Sequence, residues 1–425
     1  MLCYIHIPFC ASKCGYCGFN SLTNMMDFKE KYIDSLCVDL ENELGNLFWG
    51  MRFRTCENFW ESTDSSLVLS PKFSQIQKPH RHYFDCDSLH ESTTNQTQNC
   101  NNSSLRESRS DSWQSTNKKF HSIYFGGGTP NTLNPKDYER IFKILESKIA
   151  PNTEITMELN PNASPKETLS AFKDLGVNRF SIGVQSFRAD KLKLLERNHS
   201  PKIARKFIEN ALNCGVKVSI DLIYDTILDS PKHLRFELEN ALNLGVGHIS
   251  CYALSIDKNS AFYAKGKNPV RENSLCYELK DFLESRGFSQ YEVSNFAFSH
   301  KSAHNLGYWA YKDYIGVGLG AVGKRSDKSG IYRTYKNSDF GAYLANPCAF
   351  RRESLDKSNI RLEKIFLGLR SEVGVESSLI ADKNRLDLLV KSGKIRTQNG
   401  KIYATNYFLA DEIALWVDSA NPTKI

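Results

Sequence analysis

The sequence predicts an α/β protein: a parallel sheet, open or curled into a barrel, followed by a C-terminal helical, winged-helix-like module. Three observations carry this. Six strand-like runs alternate with helix-length segments. The runs lead into glycine-rich or polar turns, and beyond about Leu355 the texture changes to helices followed by a hairpin signal. The 425 residues exceed one typical domain, and 40 % hydrophobic content suffices for at least one large core, so two domains are the natural expectation.

The first run, Tyr4-Ile5-His6-Ile7, precedes a cysteine-bearing loop. Phe28, Tyr32, Leu36, Leu40, Leu44 and Phe48 then recur at i+4, one face of an amphipathic helix beginning near Asp27. From 51 to 119 the pattern collapses. Residues 88–117 are crowded with Ser, Thr, Asn and Gln, and their large apolar residues are limited to Leu89, Leu105 and Trp113, too few to offset the ordering entropy. This stretch reads as a disordered insertion, in which Cys56, Cys86, Cys100, His80, His82 and His90 are read as residues of an unstructured loop, with metal binding as the alternative. Strand-like runs resume with Ser122-Ile123-Tyr124-Phe125 into Gly126-Gly127-Gly128-Thr129-Pro130, and Glu154-Ile155-Thr156-Met157-Glu158-Leu159 into Asn160-Pro161. Arg179-Phe180-Ser181-Ile182-Gly183-Val184 leads into Gln185, and runs at 216–223 and 248–253 follow.

Residues 361–370 place Leu362, Ile365, Phe366 and Leu369 on one helical face, 377–390 give further helix, and 394–405 carry Asn399-Gly400 between two short β-like runs. The expected organisation is a sheet domain over 1–254 with the insertion at 51–119, an extension over 255–354, and a winged-helix-like module over 355–425. Winged helices that bind DNA are basic on the recognition face. Here 355–425 hold 11 Lys or Arg against 9 Asp or Glu, which disfavours nucleic acid as a partner. The whole chain is mildly basic, at +7, which suits an anionic ligand without choosing one.

Chemistry enters at Cys10, Cys14 and Cys17, spaced C-x3-C-x2-C. Three thiolates on one tight loop can hold three irons of a 4Fe-4S cube and leave the fourth open to a non-protein ligand. A structural zinc site closes its shell with four ligands, and the one candidate second pair, His300 and His304, would leave Cys10 unused. Disulfides suit secreted chains, but the N-terminus shows no leader pattern and no run of about 18 apolar residues marks a membrane span, so a reducing, cytoplasmic setting is expected.

This loop resembles that of the radical S-adenosylmethionine enzymes. Further motifs from Tyr4 to Trp309 are similar to the coproporphyrinogen oxidase-like branch, which contains HemN-type dehydrogenases and HemW-type heme chaperones. The resemblance implies a partial TIM-like (β/α)6 barrel. It also implies a 4Fe-4S cluster on Cys10, Cys14 and Cys17, and S-adenosylmethionine held by Gly127, Gly128 and Thr129 at its methionine end and by Glu158 at its ribose. A glycine run lets backbone approach a ligand closely. Tyr4 matches a cofactor-contacting tyrosine of the family, with core packing as the plain alternative; Glu158 could be an N-cap or surface carboxylate. Gln185, Arg197 and Asp221 match positions that contact a second S-adenosylmethionine in HemN-type enzymes, though Arg197 could equally be an ion-pair partner. Tyr16, between two ligands, could shield the cube or lie on the surface.

HemN-type enzymes carry a further cysteine two residues after the third ligand and an N-terminal extension. This chain has Phe19 there and begins almost at its first strand, which points to the HemW type. His304-Asn305-Leu306-Gly307-Tyr308-Trp309 resembles the heme-binding H-N-x-x-Y-W signature of that branch. His304 would then be an axial ligand and Tyr308 and Trp309 would pack on the macrocycle, although a lone histidine is commonly a satisfied structural residue. Where the family usually has Gly-Leu-Pro after Asp221-Leu222-Ile223-Tyr224, this chain reads Asp225-Thr226-Ile227. Gly316-x-Gly318-x-Gly320-x-x-Gly323 lacks a βαβ setting and reads as a close-packed turn rather than a dinucleotide loop. Two functions follow: a heme chaperone passing heme to an acceptor such as a respiratory enzyme, or an oxygen-independent coproporphyrinogen III dehydrogenase using a deoxyadenosyl radical. A DNA-binding regulator is the third reading.

Overall fold

Residues 1–48, 119–163 and 167–418 are described by a computed structural model of the protein; the stretch expected to be an insertion, 51–119, lies outside them except for Lys119. All six expected strands form. They are β1 (Leu2–Ile7), β2 (Ser122–Gly127), β3 (Glu154–Leu159), β4 (Arg179–Gln185), β5 (Lys217–Tyr224) and β6 (His248–Ala253). Between them lie α1 (Lys29–Phe48), α2 (Pro135–Leu145), α3 (Glu167–Asp174), α4 (Ala189–Leu194), α5 (Pro201–Asn213) and α6 (Pro231–Asn243). Local chemistry sets the starts. Ser200 and Ser230 accept from the backbone N–H groups of Ile203 and His233, each followed by a proline whose fixed φ suits the first helical turn.

β1 to β6 are parallel and lie side by side in chain order. Right-handed crossovers in unbroken order place every helix on the same side, so the sheet curls with its other face inward. Alternation then divides the strand residues. Ile5, Ile7, Ile123, Phe125, Met157, Phe180, Ile182 and Ile220 pack with Tyr32, Leu36, Leu40, Tyr138, Phe172 and Phe207 of the helices in the main core. The intervening positions, Tyr4, His6, Ser122, Tyr124, Glu158, Arg179, Ser181, Ser219, Asp221 and His248, form a polar interior.

The sheet is longer than the six strands expected. α7 (Ala261–Ala264) and α8 (Cys276–Ser285) precede β7 (Ser289–Gln290) and β8 (Asn295–Ala297). Then come α9 (Ala303–Trp309), β9 (Tyr314–Val317), β10 (Val322–Asp327), β11 (Gly330–Lys336), α10 (Phe340–Ala345) and β12 (Phe350–Ser354). β9 adds parallel to β1, β10 to β12 continue antiparallel, and β8 and β7 extend the far edge beyond β6. The glycine series is the tight β9–β10 connection. A Cβ on Gly316 would fall 2.2 Å from the Val322 carbonyl oxygen, and Gly318, at φ +103, lies against the His6 carbonyl and the Tyr32 hydroxyl.

Asp225-Thr226-Ile227 makes its own turn: the Thr226 N–H and hydroxyl both donate to Asp229 at 2.8 Å, and Asp229 is held by buried Lys191. Phe28, expected on the α1 face, precedes that helix and is exposed, whereas Tyr32, Leu36, Leu40 and Leu44 are buried.

A second core belongs to α11 (Lys357–Leu369), β13 (Val375–Glu376), α12 (Lys383–Lys391), β14 (Ile395–Gln398), β15 (Lys401–Ala404) and α13 (Ala410–Asp418). Ile365, Leu369, Leu386, Leu389, Ile402 and Ile413 meet there, separate from the main core. Asn399 and Gly400, at φ 52° and 75°, make the expected two-residue hairpin turn. The helix expected over 377–390 is split into a 3-10 turn, Ser377–Leu379, and α12, which Asp382 starts by accepting from the Arg385 N–H.

Candidate functional site

The cysteine loop leaves the C-terminal end of β1, where a curled parallel sheet gathers its loops. Its base is closed by Leu22 N–H to Pro8 O (2.7 Å) and Cys10 N–H to Leu22 O (2.9 Å). The glycine run after β2 then lies along it: Gly128 N–H donates to Ile7 O at 2.7 Å and Thr129 N–H to Phe9 O at 2.8 Å. This contact explains two of the glycines. A Cβ on Gly128 would sit 2.6 Å from Pro8 O and 2.7 Å from Phe9 O, and one on Gly127, at φ +112, would strike the His6 ring at 2.5 Å.

The Thr129 hydroxyl lies 3.4 Å from Cys10 Sγ. Arg197 donates from Nη1 to Cys14 Sγ (3.2 Å) and from Nη2 to Gly183 O (2.8 Å). Burial raises the Cys10 thiol and pushes Cys17 up to about 11. Tyr16, open at the sequence level, is partly buried against Leu195, Ile223 and Leu254, and burial raises its hydroxyl.

Among the described residues no three His, Cys, Asp or Glu side chains converge on one point as the ligands of a single ion would. A cubane needs a different donor set, because each thiolate takes its own iron. Three cysteines of similar partial exposure on one loop, with an arginine already donating to one sulfur, fit that requirement.

Inside the curled sheet the Glu158 carboxylate, at the end of β3, accepts from the Tyr124 hydroxyl (2.7 Å) and from Gly127 N–H (3.1 Å). It is neither a cap nor a surface group, and burial pushes it up to about 7. Asp221 accepts from the Ser181 hydroxyl at 3.5 Å and is pushed up to about 6, again by burial. Gln185 closes β4 at φ +66, beside a register shift, and a Cβ on Gly183 would lie 3.0 Å from Gln185 Nε2 and 3.6 Å from Arg197 Nη2. These two side chains therefore close over Gly183.

Tyr4 hydrogen-bonds His6 Nδ1 at 3.0 Å, and His6 Nε2 faces Asn20 O at 2.9 Å. A carbonyl only accepts, so Nε2 carries the proton and Nδ1 takes the Tyr4 hydrogen; burial lowers the ring to about 4, keeping it neutral. His6 and Tyr124 escaped the sequence reading. Period-2 alternation in β1 and β2 was the available signal, but only strand register shows which partners they meet.

His304, Tyr308 and Trp309 lie elsewhere, on α9 near the N-terminal ends of the strands. Ser122, which His304 touches, opens β2, whereas Gly127, beside the loop, closes it. His304 is fully buried, with Nδ1 2.8 Å from the Ser122 hydroxyl and Nε2 2.9 Å from the Tyr308 hydroxyl. Its ring packs on Tyr124 at 5.0 Å, and burial lowers it to about 3. Both imidazole nitrogens are therefore engaged within the protein. Tyr308 packs edge-on against Tyr314 at 4.7 Å, and Trp309 is buried with Nε1 lacking a partner among the described residues.

Residues 111–241 match the model of the radical SAM superfamily. The chain is 30 % identical over 349 residues to the heme chaperone HemW of Buchnera aphidicola subsp. Schizaphis graminum, covering 80 % of this chain and 75 % of the relative. It is 31 % identical over 310 residues to HemW of Bacillus subtilis, covering 67 % and 81 %. Its fold is similar to that of coproporphyrinogen III oxidase (HemN) from Escherichia coli, with a TM-score of 0.69 over 99 % of this chain and 90 % of the other, at 18 % identity. Among the described residues no helix is long and apolar enough to cross a membrane.

Proposed function

The chain belongs to the HemW heme chaperone family of radical S-adenosylmethionine proteins, and on that premise we propose that it binds heme as cargo in the cytoplasm and passes it to an acceptor protein such as a respiratory enzyme. Cys10, Cys14 and Cys17 hold a 4Fe-4S cluster, and S-adenosylmethionine lies beside it. The observation that carries the cofactor reading is the bonding of the glycine run along the cysteine loop, through Gly128 N–H to Ile7 O and Thr129 N–H to Phe9 O, with Glu158 fixed beneath Gly127.

Such a cluster, held by Cys10, Cys14 and Cys17 with one iron left free of protein, would supply an open site and an electron for S-adenosylmethionine. The chain's own groups bind and orient. Gly127, Gly128 and Thr129 present backbone to the methionine end, and Glu158 accepts from ribose hydroxyls, which competes with its bond from Tyr124. Tyr4 holds His6 in the tautomer that packs against Gly127, while Tyr16 keeps water from the thiolates. Arg197 offsets thiolate charge at Cys14 and, with Gln185 and Asp221, lines the side of the site beyond Gly183. His304, Tyr308 and Trp309 anchor α9 against the sheet; ligation of heme iron by His304 Nε2 requires the Tyr308 hydroxyl to leave it.

Reconstituted protein incubated with coproporphyrinogen should form no protoporphyrinogen, whereas added heme should give a bound Soret band. Decarboxylated product at catalytic turnover, without stable heme binding, would replace the chaperone reading with a dehydrogenase.

A further inference from the structure

A cleft of about 580 Å³ opens between α9 and the β14–β15 hairpin of the C-terminal module. It lies at the N-terminal ends of the strands, beside His121 and Lys312, away from the cysteine loop. β1 alone spans six residues, or about 20 Å, between the two ends.

On the α9 side the cleft is lined by Ala303, Leu306, Gly307 and, after the helix, Ala310, none with a polar side chain. The rim is cationic. Arg396 stacks over the Tyr403 ring at 4.3 Å and donates to Gln398 at 2.7 Å. Neither Arg396 nor Lys312 pairs with a carboxylate among the described residues, and the acid in the lining, Glu372, is paired with Lys301 at 2.5 Å. His121 stands exposed in the wall, and neither of its ring nitrogens is hydrogen-bonded among the described residues.

Apolar residues of α9, two cations in the lining without carboxylate partners and an imidazole without a hydrogen-bond partner match the parts of a heme: an apolar macrocycle, two propionates, and an iron that takes nitrogen. His304 would offer such a nitrogen only by giving up a bond it already makes, to the Ser122 or the Tyr308 hydroxyl. Resting on the heme reading above, we propose that this cleft seats the heme, with His121 as an axial ligand and Lys312 and Arg396 pairing with the propionates. α9 contributes its outer face to the cargo and uses His304 inward, to fix the helix. The cargo then sits at the opposite end of the sheet from the cluster.

The test is an optical heme titration of the full chain, comparing wild type with His121→Ala, Lys312→Ala/Arg396→Ala and His304→Ala, each checked for native circular dichroism. His121→Ala should shift the Soret band and weaken binding about tenfold or more, and added imidazole should restore the band. The double variant should weaken binding by about tenfold for heme but little for heme dimethyl ester, which lacks the carboxylates. Folded His304→Ala should keep the wild-type band. A wild-type band and affinity in both His121→Ala and the double variant would overturn the cleft alone. So would loss of the band in folded His304→Ala with retention in His121→Ala. A wild-type chain that binds no heme would remove the chaperone reading as well.

Discussion

Gly128→Ala tests whether the glycine run and the cysteine loop form one rigid unit. The added methyl would meet Pro8 O at 2.6 Å, Phe9 O at 2.7 Å and Pro8 C at 2.7 Å, all backbone atoms that no rotamer change can move. The loops must separate, which stretches the bonds from Gly128 N–H to Ile7 O and from Thr129 N–H to Phe9 O. Each bond contributes about 1 kcal/mol net, and overpacking adds about 1–3 kcal/mol. The expected loss is therefore about 3–5 kcal/mol in urea unfolding, with reduced iron uptake in anaerobic reconstitution. Gly341→Ala is the control: it lies in α10 with its nearest neighbour, Asp339 Oδ1, at 3.5 Å, and should be neutral or stabilising by up to about 1 kcal/mol. A Gly128→Ala protein as stable and as iron-rich as wild type would show that the glycine run and the cysteine loop are not one rigid unit.

Lys336 is fully buried between Asp39 (2.5 Å) and Glu43 (2.8 Å), tying β11 to α1. Lys336→Met leaves buried Asp39 without its cation and Glu43 with Arg325 alone, and should cost about 3–5 kcal/mol by chemical denaturation; a loss under about 1 kcal/mol would mean the network is dispensable. Glu158 is raised to about 7, so between about pH 4.5 and 7 the folded protein holds a proton that the unfolded chain has released. This contribution is fully present at acid pH and declines as pH rises through that window, by at most about 1.4 kcal/mol per pH unit. Glu158→Gln should flatten that slope in unfolding measurements at pH 5 and 7.5, and an unchanged slope would assign it to other groups. Tyr308→Phe strands His304 Nε2 in the interior and should cost about 1–3 kcal/mol in thermal or urea unfolding; no loss would show that the ring finds another partner.

Legibility followed the range of the interactions. β3 and β6 have the expected boundaries because each is a short run rich in β-formers between turn signals. The strands from β7 to β12 stayed hidden. β12, Phe-Arg-Arg-Glu-Ser, is largely exposed and becomes a strand only through its partner β11, and β9 joins the parallel array only because the chain returns to β1. At the site, cysteine spacing and the glycine run are local and therefore readable. The His6–Gly127 contact and the Tyr124–Glu158 bond depend on the register of β1, β2 and β3. The histidine of the H-N-x-x-Y-W run was visible, but its satisfaction by Ser122, 182 residues earlier, was not.

On the proposed reading, Cys10, Cys14 and Cys17 would hold a cubane beside Gly127, Gly128 and Thr129. Electron paramagnetic resonance of the anaerobically reconstituted, reduced protein, with and without S-adenosylmethionine, tests it most directly alongside iron and sulfide content. About four irons and four sulfides per chain are expected, with a reduced-cluster signal that changes when S-adenosylmethionine is added. A colourless protein, or a cluster signal indifferent to S-adenosylmethionine, would contradict it.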